Sequence, residues 1–187
     1  PEVCRVGVLA MNQVGYQNLL KLVSAAYVAS DHRGQVSRQQ IFDHAEGLLV
    51  LCGGREGEVG RALLKGERDL AGSLAREWMA VFENRFYLEL VRTSRAEEAR
   101  HVSLAVDLAG ELGLPVVATN DVCFLDADDF EAHETRVCIA DGRVLDDPRR
   151  ERRYTGAQHL KTPEEMAELF CDLPEALANS VEIARRC

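Results

Sequence analysis

Residues 113–124, Gly-Leu-Pro-Val-Val-Ala-Thr-Asn-Asp-Val-Cys-Phe, limit the fold more than any other part of this 187-residue chain. Gly113 is placed to end a helix, Pro115 blocks its restart, and Val116, Val117 and Ala118 read as a short strand buried on both faces. A helix feeding a buried strand belongs to an α/β architecture, and such architectures collect ligands at the carboxyl ends of their strands. Asp121 lies just past that end, where a metal or phosphate site would be built.

The rest of the pattern alternates in the same way. Residues 6–10, 48–51 and 86–91 read as strands. Residues 15–29 read as a helix carrying Leu19, Leu20, Leu22, Val23 and Ala26 on a broad apolar face. Residues 58–64 and 67–82 read as two helices broken near Gly66, the second with Leu70, Leu74, Trp78 and Val81 at helical spacing, so that Trp78 is read as core. Residues 96–112 form a helix turning Val102, Leu104, Ala105, Leu108 and Leu112 inward. A further helix covers 130–140, followed by a loop through the arginines to about Gln158. Thr162-Pro163-Glu164-Glu165 then carries a capping threonine, a proline at the first helical position and a glutamate placed for a capping box. Pro174-Glu175 opens the last helix similarly. Strands alternating with helices predict parallel pairing by right-handed crossovers, which fits a barrel or a doubly wound sheet equally.

Composition narrows the function classes. A net charge of -9 disfavours a nucleic-acid-gripping surface, because phosphate binding rests on clustered Lys and Arg. The one basic concentration, Arg149, Arg150, Arg152 and Arg153, is interrupted by Glu151 and reads as a solvated loop. Six cysteines lack CxxC spacing, so neither a zinc ribbon nor a disulfide framework is signalled. They read as thiols in a reducing, cytoplasmic setting. No apolar run approaches the ~20 residues that cross a bilayer, and no membrane contact is expected. The chain opens on Pro1 and reads as a piece of a longer protein. No Gly-rich phosphate loop or internal repeat is present.

Several segments carry a resemblance. Val-Ala-Thr-Asn-Asp-Val-Cys-Phe at 117–124, then Asp-Ala-Asp-Asp-Phe-Glu-Ala-His-Glu at 126–134, resemble the polymerase-and-histidinol-phosphatase (PHP) domain of bacterial DNA polymerase III alpha subunits. Val-Gly-Tyr-Gln-Asn-Leu at 14–19, Gly-Leu-Leu-Val-Leu-Cys-Gly-Gly at 47–54, Phe-Tyr-Leu-Glu-Leu at 86–90 and Leu-Pro-Glu-Ala-Leu-Ala-Asn at 173–179 match in the same order. The resemblance implies a distorted seven-stranded β/α barrel, TIM-like in kind, of which this chain holds the later part. Residues 1–145 would belong to the barrel, with its first strands before Pro1, and 146–187 would be a loop and short helices leading towards the polymerase palm. The missing strands would leave an unpaired edge.

In active members of that family, histidines, carboxylates and a cysteine hold metals that activate water against a phosphate ester. The resemblance places one such histidine at Arg5, a ligand cysteine at Gly54 and a paired Asp and His at Asp121 and Cys123. Only Asp121 is kept. Arg5 has no lone pair to donate, Cys52 falls two residues before the ligand position, and Cys123 reads more simply as a half-buried thiol filling a vacated pocket than as a substituted ligand. Arg5 is placed to neutralise Asp121 as an internal ion pair. No cofactor is expected in such a fragment.

Other candidates are weaker. His32, His44, His101 and His159 read as solvated. His133, in the acidic helix after Asp121, reads as support for the strand-end loop. Glu89, a charge within an apolar strand, is either a barrel-mouth acid or the partner of Arg92 or another cation. Asp126, Asp128, Asp129 and Glu131 are explained by helix capping and the macrodipole. The resemblance therefore implies a PHP domain with a decayed centre and no activity of its own, acting as scaffold in the replicase. It would bind the rest of the alpha subunit and the proofreading exonuclease subunit, with little direct DNA contact. The alternatives are a metal-dependent phosphoesterase, as a 3'-5' exonuclease or pyrophosphatase using Asp121, Cys123 and Glu89, and a pure interaction module.

Overall fold

Four short apolar runs become strands, Gly7–Ala10 (β1), Leu48–Leu51 (β2), Phe86–Val91 (β3) and Val116–Thr119 (β4), and lie side by side in chain order. The computed structural model describes residues 3–28 and 34–187. Eight α-helices accompany the strands among those residues: Gln13–Val28 (α1), Arg38–Asp43 (α2), Glu58–Leu64 (α3), Arg68–Val81 (α4), Glu98–Leu112 (α5), Phe130–Asp141 (α6), Pro163–Leu169 (α7) and Pro174–Arg186 (α8). This is a mixed α/β fold. Residue 29, the expected end of the first helix, and His32 lie outside the described residues.

Strand pairing departs from the sequence expectation at one place. β2 pairs β3 and β3 pairs β4 in parallel, but β1 runs antiparallel to β2, with Val8 opposite Val50. The excursion through α1 and α2 returns the chain to the sheet end it left. The Met11 N–H donates to the Gly47 carbonyl at 2.8 Å, and the Asn18 amide to the Glu46 carbonyl at 3.0 Å. A chain re-entering at the same end can only run back along its neighbour. The α2 helix went unread, although Ser37 and Gln40 form a reciprocal capping box at its start. The expected boxes at Thr162 and the proline start at Pro174 are both present.

Alternation across the strands makes two apolar surfaces. Leu48, Val50, Phe86, Leu88, Leu90, Val116 and Ala118 face the main core. There they meet α3, α4 and α5, with Trp78 stacked on Phe86 at 5.8 Å between centroids and edge-on to Phe42 at 4.9 Å. Leu49, Tyr87 and Val117 face the other way and are covered with Ile183 of α8. Helix α8 also protects the outer edge of β4, where the Asn179 amide donates to the Val116 carbonyl at 2.8 Å. Phe170 and Ala176, from the C-terminal helices, are fully buried in the main core. The opposite edge of the sheet, along β1, pairs with no further strand among the described residues.

The helix faces are narrower than periodicity suggests. In α4 it is Ala71, Ala75 and Trp78 that are buried while Leu70 is exposed, because the small residues let α3 approach closely. In α1 Leu22 and Ala26 are buried and Leu20 and Val23 are exposed. Helix α3 is tightest at Gly60, where an added Cβ would lie 2.1 Å from the Gly54 carbonyl oxygen and 2.8 Å from His101 Nε2. Alanine in place of glycine ordinarily strengthens a helix. Here we expect Gly60→Ala to destabilise the protein by about 1–3 kcal/mol in urea unfolding, the cost of overpacking; an unchanged or higher midpoint would show that the contact between α3 and the Gly54 turn is loose.

Candidate functional site

The start of β1 and the carboxyl ends of β2, β3 and β4 meet around Asp121. Past the end of β4, Asp121 adopts φ +39, a left-handed conformation uncommon for a non-glycine residue. Its side chain is only 12% exposed. One carboxylate oxygen accepts from Arg5 Nη1 at 2.8 Å, and the other lies 2.9 Å from Arg95 Nη2. The expected Arg5–Asp121 pair is therefore formed. Arg95, which the sequence reading missed, completes it from the loop between β3 and α5.

Each guanidinium is positioned by backbone as well as charge. The Arg5 N–H donates to the Glu56 carbonyl at 3.0 Å, and the turn after β2 closes over it. Gly53 sits at φ +80 with its α-carbon so near the Arg5 carbonyl that a Cβ would lie 2.0 Å from that oxygen, which only glycine permits. Burial works against the Arg5 charge, but the Asp121 carboxylate, its hydrogen bond, and Glu56 and Glu89 outweigh it and hold the guanidinium above its ordinary pKa. Arg95 is 9% exposed and donates through Nε to Glu98 at 2.8 Å and to the Thr93 hydroxyl at 3.1 Å. Glu98 also accepts from the Thr93 N–H and hydroxyl, both at 2.6 Å. Burial opposes ionisation of Glu98, yet these Thr93 and Arg95 contacts hold its carboxyl below the usual range.

Gln158 is the second residue missed. It is fully buried, and its amide donates to Asp121 Oδ2 at 3.2 Å and to Cys123 Sγ at 3.4 Å. Asp121 and Cys123 thus do converge, but through loop geometry and a shared donor rather than strand alternation, since β4 has already ended at Thr119. Burial, then the Asp121 charge, push the Cys123 thiol up, so the protonated form is favoured. Cys52 faces the core, where its sulfur accepts from the Glu89 N–H at 3.2 Å and burial pushes its pKa up to about 12. At Gly54 an added Cβ would meet Val91 at 3.6 Å and the Glu89 carbonyl at 3.8 Å, ordinary contacts, but φ +55 is a left-handed conformation that favours glycine.

Glu89 faces the same cavity but does not pair with Arg92. Its carboxylate accepts from the Thr119 hydroxyl at 2.7 Å, while Arg92 turns away to Asp172, at 2.7 and 2.8 Å, and to the Leu169 carbonyl. The Arg92 guanidinium also lies over the Phe170 ring, 4.8 Å from its centroid, a further contact with the C-terminal segment beside the Asp172 pair. His133, expected to cap or hydrogen-bond the strand-end loop, makes ring contacts with Phe124 at 5.4 Å and Tyr154 at 4.6 Å, and its buried Nε2 has no hydrogen-bond partner among the described residues. His101 corrects the reading of it as solvated. It is 2% exposed, because the buried stripe of α5 begins with Glu98, His101 and Val102.

Arg5, Gly53, Gly54, Arg55, Glu56, Glu89, Val91, Arg95 and Asp121 line a cavity of about 20 Å³, room for roughly one water. Among the described residues no three His, Cys, Asp or Glu side chains are grouped to hold a metal ion. Both oxygens of Asp121 face guanidiniums, at 2.8 and 2.9 Å. No helix of the described residues is long and apolar enough to cross a membrane.

Comparison with known proteins agrees with the sequence resemblance. Residues 3–93, which include Arg5, Gly54 and Glu89, match the PHP domain. Over 185 residues the chain is 54% identical to DNA polymerase III subunit alpha of Pseudomonas aeruginosa, covering 98% of this chain and 16% of that protein. The same subunit of Vibrio cholerae is 50% identical and that of Escherichia coli 49%, each over 192 residues, all of this chain and 16% of the relative. The chain carries a PHP domain at residues 3–93 and is homologous over its whole length to DNA polymerase III alpha subunits. It spans about a sixth of the length of these relatives, and Asp121, Cys123 and Gln158 fall beyond the PHP match but inside the stretch shared with the alpha subunits.

The buried histidine of α5 gives a pH signature. Burial lowers the His101 pKa to about 4 from an ordinary 6.5, with Glu98 opposing and Arg55 assisting. A histidine that resists charging when folded contributes stability above its unfolded pKa and loses it as pH falls toward the folded value. By linkage, that part of the stability should drop by about 2 kcal/mol between pH 7.5 and pH 5. We expect His101→Gln to flatten the pH dependence of urea unfolding by that amount; parallel profiles for the two proteins would show that His101 charges as readily in the folded protein.

Proposed function

We propose that this chain is the structural PHP segment of a replicative polymerase alpha subunit, in which a metal-dependent phosphoesterase centre has decayed into an ion-pair cluster. In this reading the domain serves DNA replication as a scaffold and as a docking surface for the separate proofreading exonuclease subunit. One observation carries it: both oxygens of Asp121 are taken by guanidiniums, at 2.8 and 2.9 Å. The other ligand positions that the resemblance assigns hold Arg5, Gly54 and Cys123. None of these three replaces the lost donor, and no cofactor is required.

The four strands are then the later part of a distorted seven-stranded barrel, and residues 146–187 are the bridge towards the palm. Nucleotidyl transfer belongs to palm carboxylates outside this segment. A charge of -9 suits a protein partner better than direct DNA contact. The setting is the bacterial cytoplasm. The competing reading, a PHP exonuclease or pyrophosphatase built on Asp121, Cys123 and Glu89, has the donor geometry against it, because Glu89 is engaged by Thr119 and Asp121 by arginine.

The test uses the intact polypeptide that carries this segment, incubated with zinc, manganese and magnesium and then exhaustively exchanged into buffer. We expect no stoichiometric metal, and co-elution with the purified exonuclease subunit on size exclusion. Stoichiometric metal that is lost on Asp121→Ala would establish the phosphoesterase reading instead, and failure of the exonuclease to co-elute would remove the docking role.

A further inference from the structure

We propose that the face of this domain that docks a protein partner is the exposed pair Leu125 and Leu160 with the carboxylates beside it, and that it takes a basic segment carrying an apolar anchor. The inference rests on the docking role given above and names the surface for it. Beyond Asp121 the two segments that follow β4 run side by side once more, where Phe124 pairs with His159 in parallel. The Leu160 N–H donates there to the Phe124 and Leu125 carbonyls, at 3.1 and 3.2 Å, which sets the two leucines next to each other. Phe124 turns inward against Phe130 and His133, while Leu125 and Leu160 are 68% and 58% exposed.

Charge beside this pair has one sign. Asp126, Asp128, Asp129 and Glu131 follow Leu125 directly, and all four are exposed. Capping accounts for Asp126 and Asp129, which form a reciprocal box. The carboxylates of Asp128 and Glu131 have no hydrogen-bond or ion-pair partner among the described residues. The one lysine or arginine in residues 120–131 and 154–165 is Lys161, and its ammonium is engaged by Asn120 Oδ1 at 3.0 Å and by the Ala157 carbonyl. Elsewhere on the surface carboxylates meet arginines, as Glu111 meets Arg68 at 2.6 Å and Glu97 meets Arg100 at 2.9 Å.

An apolar pair inside a field of one sign selects its partner twice. The field steers in a basic segment and turns away nucleic acid and acidic proteins, and the leucines then seat an apolar side chain that the field alone could not hold. The segment that docks is therefore basic and amphipathic.

Titration of the purified exonuclease subunit into the intact polypeptide, at about 50 and about 300 mM salt, tests this. We expect the affinity to fall about tenfold with the added salt, and about tenfold at low salt in Asp128→Asn/Glu131→Gln and in Leu125→Ser/Leu160→Ser. Urea midpoints of both variants should match the wild type, because the four side chains are exposed. Either variant binding as tightly as the wild type, or an affinity indifferent to salt, would overturn this surface and leave the docking role standing. An exonuclease subunit that does not bind the wild type would remove the docking role and this surface with it.

Discussion

A single carboxylate, Asp121, held between two arginines is the joint on which the ends of all four strands depend. Arg5 enters before β1, Glu56 follows β2, Arg95 follows β3, and Asp121 and Gln158 come from the segments after β4. In an α/β sheet the carboxyl ends of the parallel strands, here β2, β3 and β4 with the start of antiparallel β1 beside them, are where loops gather, and this interaction ties them together. Metals do this in catalytic centres by bringing charge and fixed directions. Guanidiniums bring both as well, through planar donors that never deprotonate. What they do not bring is an open coordination position.

The surrounding structure packs closely around this joint. Gly53 lets the turn after β2 close on the Arg5 backbone, Gly60 lets α3 press against the Gly54 carbonyl, and His101 fills the space behind. The remaining cavity holds about one water. On the outer side, Arg92 binds Asp172 and stacks on Phe170, so that the C-terminal helices are tied to the end of β3 while α8 seals the β4 edge. The C-terminal helices are in this sense part of what holds the centre closed.

Much of this was legible in the sequence, for reasons that can be named. The strand ending before Asp121 announced itself through Gly113, Pro115 and three apolar residues, and the Arg5–Asp121 pair followed from a cation standing where a ligand was needed. The antiparallel start was hidden because α2 is a short helix with little apolar periodicity, though its Ser37–Gln40 box was a readable signal. Arg95 and Gln158 were hidden for a different reason. Both lie in loops whose approach to Asp121 depends on tertiary geometry, and a buried polar residue has no local pattern. Glu98 and His101 at i, i+3 on the buried stripe of α5 were a clue that a polar cluster lay inside, and helical-face counting restricted to apolar residues passed over it. The exposed Leu70 and Leu20 show the converse, leucines at helical spacing that the neighbouring elements do not reach.

The central claim is that Arg95 and Asp121 form a buried ion pair doing structurally what a metal would otherwise do. A double-mutant cycle with Arg95→Gln and Asp121→Asn, measured by urea unfolding in the presence of chelator, tests it most directly. The account predicts a coupling of about 1 kcal/mol or more, because each single change removes the same buried contact, while Arg5 still faces Asp121 and Glu98 still holds Arg95. Effects that add to within about 0.5 kcal/mol would show two independent side chains and contradict it.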